Sequence, residues 1–244
     1  MKEEYQKGNS TISEALDKEI KEALNNNKQV MLFLNRRGFN TFVTCRNCGY
    51  TYKCPNCDIT LTYHKTSNNL RCHYCGYTLL YNGICPECKE KALTSLGLGT
   101  EKLEEEIKIK YPEAKVLRMD ADTTTRKGSH EKYIQMIENG EVNIIVGTQM
   151  ISKGLDFPNV TVVGVINADE SLNVPDFRSG EYTYSLLSQV SGRAGRKNGD
   201  GKVILQTFNK DNETLNLVKQ NNYKDLYTYE MNIRRELKYP PYFY

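Results

Sequence analysis

Apolar residues recur along this chain in two periods. Ile12, Leu16, Ile20 and Leu24 fall on one face of a helix, and Thr11 with Glu14 has the spacing of a capping box. The run QVMLFLN, residues 29–35, is apolar without alternation, which predicts a strand buried on both faces. After residue 93 the same signals return. Thr100 opens a helix with Leu103 and Ile107 on one face, closed by Pro112. AKVLRMD predicts a strand, HEKYIQMIENG a helix ending at Gly140, and NIIVGT and VTVVGVINAD two more strands. YTYSLLSQVSG predicts a helix, KVILQTF a last strand, and DLYTYEMNIRRELKYPPYFY a helix as far as Tyr239. Short apolar strands alternating with helices argue an α/β fold, a parallel sheet with helices on both faces.

Residues 43–93 break this rhythm. They hold all eight cysteines as four C-x-x-C pairs, Cys45/Cys48, Cys54/Cys57, Cys72/Cys75 and Cys85/Cys88. Each pair lets one tight turn offer two sulfurs to a tetrahedral metal. Disulfides and a redox C-x-x-C are the competing readings; a reducing compartment disfavours the first and four copies the second. Two zinc sites of four cysteines each are expected. Between Cys57 and Cys72 an alternating run (Ile59, Leu61, Tyr63), a polar turn and a return through Leu70 predict a hairpin. Its ends bring the second and third pairs to one metal, leaving the outer pairs to the other, and this nested pairing is favoured over a sequential one. His64 and His73 are left to structural or surface roles.

The chain divides on this reading into 1–42 and 94–215, the two parts of the α/β domain, and 43–93, the zinc module inserted between its first strand and next helix. Residues 216–244 form a linker helix and the start of a further domain; the alternative is a terminal segment packed on its own domain. Of 244 residues 39% are hydrophobic and 26% charged, and no apolar run reaches the length of a membrane helix. Without a signal-peptide core at the N-terminus, a cytoplasmic location is expected. The formal charge is +3; eight thiolates on two dications subtract four and leave −1, so global charge does not argue for nucleic acid.

Ligands of a parallel α/β sheet bind at the carboxyl ends of its strands. The loops expected there carry Arg36, Arg37, Thr148, Gln149 and Lys153, groups suited to phosphates. Yet G-x-x-x-x-G-K-[ST] is absent; GDGKV, residues 199–203, is too short and lacks the hydroxyl. Asp169 and Glu170 after an apolar strand look like a Mg²⁺-gripping pair but without a phosphate loop read as loop structure. Arg193 and Arg196, among glycines at a helix end, then suit a phosphate bound on another domain; a solvated basic pair is the bland alternative.

QVSGRAGR, residues 189–196, resembles the last motif of superfamily-2 helicases, and VGTQMISKGLDFPNV, residues 146–160, looks like the motif before it. LNRRGF, LTYH with LRCHYCG, GLGTEKLEEEI, RMDADTT and ADESLNVPDFRSGE, with the four C-x-x-C pairs, together resemble the primosomal replication-restart helicases over nearly the whole chain. The resemblance implies the second RecA-like lobe of an ATP-driven 3′-to-5′ DNA helicase. It implies recognition of forked DNA, primosome and replication-restart proteins as partners, a first lobe in cis, and two Zn²⁺, with ATP and Mg²⁺ in the full-length enzyme. Gln189, Arg193 and Arg196 would face ATP on the other lobe, with Arg196 the arginine finger; Gly154 and Asp156 would lie near the nucleotide. Thr148 and Gln149, with Arg36 and Arg37, would contact DNA. Tyr182 stands where the family usually has arginine. A non-enzymatic zinc-ribbon module on an α/β scaffold, binding nucleic acid or protein, is the alternative, and another helicase or translocase with an independent zinc insertion a second.

Overall fold

The computed structural model describes residues 1–8, 11–34, 42–95, 99–125, 128–152, 157–195 and 201–243. In chain order the elements are α1 (Lys2–Gln6), α2 (Glu14–Asn25), β1 (Gln29–Phe33), β2 (Val43–Cys45), β3 (Thr62–His64), β4 (Asn69–Arg71), β5 (Thr78–Leu80) and β6 (Leu93–Ser95). Next come α3 (Thr100–Lys110), β7 (Val116–Met119), α4 (Ser129–Glu138), β8 (Ile144–Gly147), α5 (Gln149–Ser152) and β9 (Val160–Val165). The chain closes with α6 (Asp169–Leu172), α7 (Ser179–Ser191), β10 (Lys202–Leu205), α8 (Glu213–Gln220) and α9 (Tyr223–Glu236).

Five strands form one parallel sheet in the order β10-β9-β1-β8-β7. Strand β1, central and buried throughout, explains its unbroken apolar run: successive side chains enter opposite cores. Val30 and Leu32 pack with Leu16 and Ile20 of α2 and Leu103 and Ile107 of α3. Met31 and Phe33 pack on the other face with Ile137 of α4, Leu187 and Val190 of α7 and Leu215 of α8. Each such fully buried side chain contributes on the order of 2 kcal/mol, and neither core includes a residue of the insertion.

The insertion leaves and rejoins the lobe through β2 and β6, which pair antiparallel (Val43 with Ser95, Cys45 with Leu93). Inside it, β3, β4 and β5 form a separate antiparallel sheet over a third core of Val43, Tyr52, Ile59, Leu61 and Leu70. The hairpin expected between Cys57 and Cys72 is β3–β4; its third strand, β5, carries little apolar alternation.

Three local expectations are corrected. Thr11 is not the cap of α2: Ser13 is, its hydroxyl accepting from the Leu16 N–H, so the helix starts at Glu14. Ser13 is also held by its own N–H, which donates to Gln206 Oε1 at 2.8 Å, while Gln206 Nε2 donates to Thr11 O and Ile166 O. The last helix ends at Glu236 rather than Tyr239, and α8, capped by Asn212, is an added helix.

Candidate functional site

The four C-x-x-C turns are copies of one backbone device. The N–H four residues after each first cysteine donates to that cysteine's carbonyl: Gly49 to Cys45, Asp58 to Cys54, Gly76 to Cys72 and Lys89 to Cys85. The first cysteine's own N–H donates one residue further on, to Tyr50, Ile59, Tyr77 or Glu90. This closes only if the fourth residue is left-handed, and all four are, with φ of 78°, 51°, 78° and 63°. Backbone N–H groups then point at sulfur: those of Asn47 and Cys48 at Cys45, Tyr50 at Cys48, Asn56 and Cys57 at Cys54.

The turns assemble in nested pairs. Cys45, Cys48, Cys85 and Cys88 form one cluster, Cys54, Cys57, Cys72 and Cys75 the other, the sulfurs of each within 4.8 Å of one another. Cys45 and Cys88 are 3.6 Å apart, Cys48 and Cys85 3.6 Å, Cys54 and Cys75 3.5 Å. Four sulfurs at about 2.3 Å from a tetrahedral zinc stand about 3.8 Å apart, so the donor set and spacing fit that ion. Burial pushes the Cys48 and Cys57 thiols up to about 12. The N–H of Tyr77 draws Cys75 down to about 6, and that of Glu90 draws Cys88 down to about 7. Each cluster thus mixes a cysteine whose thiolate is favoured with a half-buried one whose thiol is favoured until a cation is bound.

Four separate segments seat this module on the lobe. Gly49 approaches Phe208 so closely that a Cβ there would stand 2.5 Å from its carbonyl oxygen. Thr60 Oγ1 donates to Asn173 Oδ1 at 3.3 Å, and Gln6 Nε2 to Asn47 Oδ1 at 3.2 Å. Tyr239 stacks on Phe177 and donates to the Cys57 carbonyl at 2.7 Å. Between module, α7 and α9 lies a cleft of about 340 Å³ lined by Lys53, Thr60, Asn173, Phe177 and Glu230.

Elsewhere the sequence-derived residues separate along the sheet. Thr148 follows β8 at the carboxyl edge and Gln149 opens α5; both are half-buried. Gln189 is exposed on α7, and Arg193, half-buried, follows its C-cap Gly192. Gly195 N donates to Val160 O, the first residue of β9, so this turn sits at the amino edge. The two edges are a strand length apart, roughly 10–15 Å. Arg36, Arg37, Lys153, Gly154, Asp156 and Arg196 lie outside the described residues. Asp169 is structural, as expected: 3% exposed, it accepts from Phe208 N and Thr207 Oγ1, and burial raises its pKa. Asp120 accepts from Thr100 Oγ1 and Thr123 N, tying the RMDADTT and GLGTE stretches together. Tyr182 lies under the Arg178 guanidinium, 5.2 Å from its ring centre.

One acid gave no sequence signal. Glu230, 5% exposed on α9, has no hydrogen-bond partner among the described residues, and burial raises its carboxyl to about 7, with Glu181 adding repulsion. Arg234, one turn on, gives its guanidinium to Glu181 instead, at 2.6 Å. Gly180 makes the room: a Cβ there would overlap Glu230 Oε1.

The PriA DNA helicase Cys-rich region (CRR) domain matches residues 54–79, and the helicase conserved C-terminal domain residues 88–198. Replication restart protein PriA of Bacillus subtilis is 49% identical over 100% of this chain, and that of Synechocystis 43% over 99%. The chain spans 30% of the length of each. The helicase domain of Pyrococcus furiosus Hef aligns over 84% of this chain and 27% of its own, at 17% identity and a TM-score of 0.38. Over its whole length this chain is similar in sequence to part of replication restart protein PriA, and within that part it carries the matches to the PriA Cys-rich region and to the helicase conserved C-terminal domain.

Proposed function

We propose that the chain supplies the second motor lobe and zinc module of an ATP-dependent 3′-to-5′ DNA helicase that restarts replication in the cytoplasm. The insertion of two nested four-cysteine clusters behind β1, in a chain 49% identical throughout to PriA, carries this reading. Residues 43–93 act as the zinc module and 1–42 with 94–215 as the lobe, on whose core α8 and α9 pack through Leu217, Val218 and Leu226. The eight cysteines hold two Zn²⁺, which fix the four turns rather than take part in chemistry.

The separation of the two sheet edges supports a division of labour. Thr148 and Gln149 at the carboxyl edge, with Arg36 and Arg37, contact the backbone of forked DNA. Gln189 and Arg193 at the amino edge, together with Arg196, face ATP and Mg²⁺ held on the first lobe, with Gly154 and Asp156 beside the nucleotide. The Gly195–Val160 hydrogen bond anchors the turn that follows Arg193, and in this reading Arg196 meets charge that develops on the γ-phosphate. Primosome proteins are the expected partners.

The test is made in the full-length enzyme with forked DNA. Arg196→Ala is expected to lower kcat by on the order of 10³-fold with ATP affinity little changed, and Arg196→Lys to restore little, since an ammonium lacks the planar fork. Turnover within a few-fold of the parent overturns the assignment. A parent enzyme that binds forks but never hydrolyses ATP favours the interaction-module reading instead.

A further inference from the structure

The ribbon carries two histidines that neither cysteine cluster uses. His64 ends β3, and His73 lies in the third C-x-x-C turn, directly after Cys72. Their Nε2 atoms stand 3.3 Å apart, with ring centres at 5.2 Å and planes inclined by 61°. Both backbones are fixed independently of this contact. β3 pairs with β4 from Thr62 to His64, and the Cys72 N–H closes its turn on Tyr77 O at 2.8 Å. The hairpin turn is held by Tyr63 OH and Asn68: the hydroxyl donates to Asn68 Oδ1, and Asn68 Nδ2 to Tyr81 O.

Two imidazole nitrogens bound to one tetrahedral ion at about 2.0–2.1 Å are about 3.3–3.4 Å apart. A direct hydrogen bond between nitrogens prefers a shorter separation, near the roughly 3.0 Å of other N–H donors. We propose that His64 and His73 form a third metal site, for a borderline divalent ion that accepts tetrahedral geometry, such as Zn²⁺ or Co²⁺, whose remaining positions are open to solvent or to a donor from outside the chain.

Three features favour it. The hairpin and the turn fix both backbones before any ion arrives, so only the two side chains need be ordered on binding. His73 is exposed and His64 half-buried, leaving an approach for the ion and for further ligands. The neighbouring cluster of four thiolates and one dication carries two net negative charges, which attract a cation to its rim. Imidazole suits nickel, copper and zinc. Among the described residues the only groups of three or more metal-binding side chains are the two cysteine clusters, so this pair does not close a cage. The ion would therefore exchange, unlike the two structural ones.

The test starts from the chain carrying two zincs, counted by elemental analysis, and titrates it with Co²⁺ by calorimetry. A single further ion per chain is expected, with the zinc count unchanged afterwards. His64→Ala and His73→Ala should each weaken that uptake by about tenfold or more while keeping both zincs. No uptake, uptake undiminished in His64→Ala, or uptake matched by zinc release overturns the site. If His73→Ala loses zinc because it adjoins Cys72, His64→Ala, on a strand away from the cysteines, decides alone.

Discussion

Replacing Glu230 with glutamine is expected to stabilise the protein, and only above a certain pH. The carboxyl is buried against Gly180, near Glu181, with no hydrogen bond among the described residues, and burial raises it from 4.5 to about 7. The folded state therefore binds more protons than the unfolded chain between those two values. Stability contributed by the protonated acid is full below 4.5 and lost as pH rises through about 7. At about 1.4 kcal/mol per pH unit, the loss is on the order of 3 kcal/mol, an upper bound because the cleft of about 340 Å³ beside it admits water. Glu230→Gln keeps the shape and removes the charge. Urea denaturation of zinc-loaded parent and variant should give nearly equal stability near pH 5 and a variant more stable by about 2–3 kcal/mol near pH 8. Taking the difference at each pH cancels the other titrating groups, Asp169 and the cysteines included. A difference that stays constant with pH would mean that Glu230 is solvated or paired, and the reasoning would fail.

Gly49→Ala and Gly76→Ala separate backbone strain from docking, since both glycines have φ of 78° but only Gly49 faces another segment, Phe208. Each should lose about 1–2 kcal/mol to the left-handed backbone, and Gly49→Ala a further 1–3 kcal/mol or so for the displaced contact; equal losses in denaturation would remove the docking argument. Cys54→Ser should expose Cys72 and Cys75 to a thiol reagent before Cys85 and Cys88, because the clusters are nested; the reverse order would oppose the pairing. Apparent zinc affinity, measured by competition with a chromophoric chelator, should weaken as pH falls from about 8 to about 6, because thiols that burial keeps neutral must ionise to bind; a flat profile would show that the thiols are already ionised.

What the sequence disclosed and what it withheld divide along one physical line. Strand β1 was legible because a central parallel strand must be apolar on both faces, and α2 and α3 because each buries one stripe. The nesting of cysteine pairs was legible because a hairpin between Cys57 and Cys72 fixes which ends meet. Strand β5 was not, since Thr78–Leu80 has one half-buried residue and owes its conformation to pairing with β4. Ser13 displaced Thr11 as the cap because Gln206, nearly two hundred positions away, holds its N–H. Glu230 and Arg234 stand one helical turn apart in sequence; only the packing of α9 on α7 hands Arg234 to Glu181 and leaves Glu230 without it. Periodicity reports what a segment buries, and a polar group's partner lies on whichever segment the fold brings up.

The zinc module depends on both kinds of contact, local and long-range. Its core is small and two of its buried side chains are themselves cysteines, Cys54 and Cys72, so metal must contribute much of its folding free energy. Metal alone would leave a rigid body on two short strands, free to swing about β2 and β6. The contacts of Gly49 with Phe208, Thr60 with Asn173, Asn47 with Gln6 and Cys57 with Tyr239 remove that freedom, and they come from four separate segments outside the module. Three contacts not in line already fix one body on another. A fourth makes loss of any one tolerable, so any rotation of the lobe carries the ribbon, its hairpin and its histidine pair through the same angle.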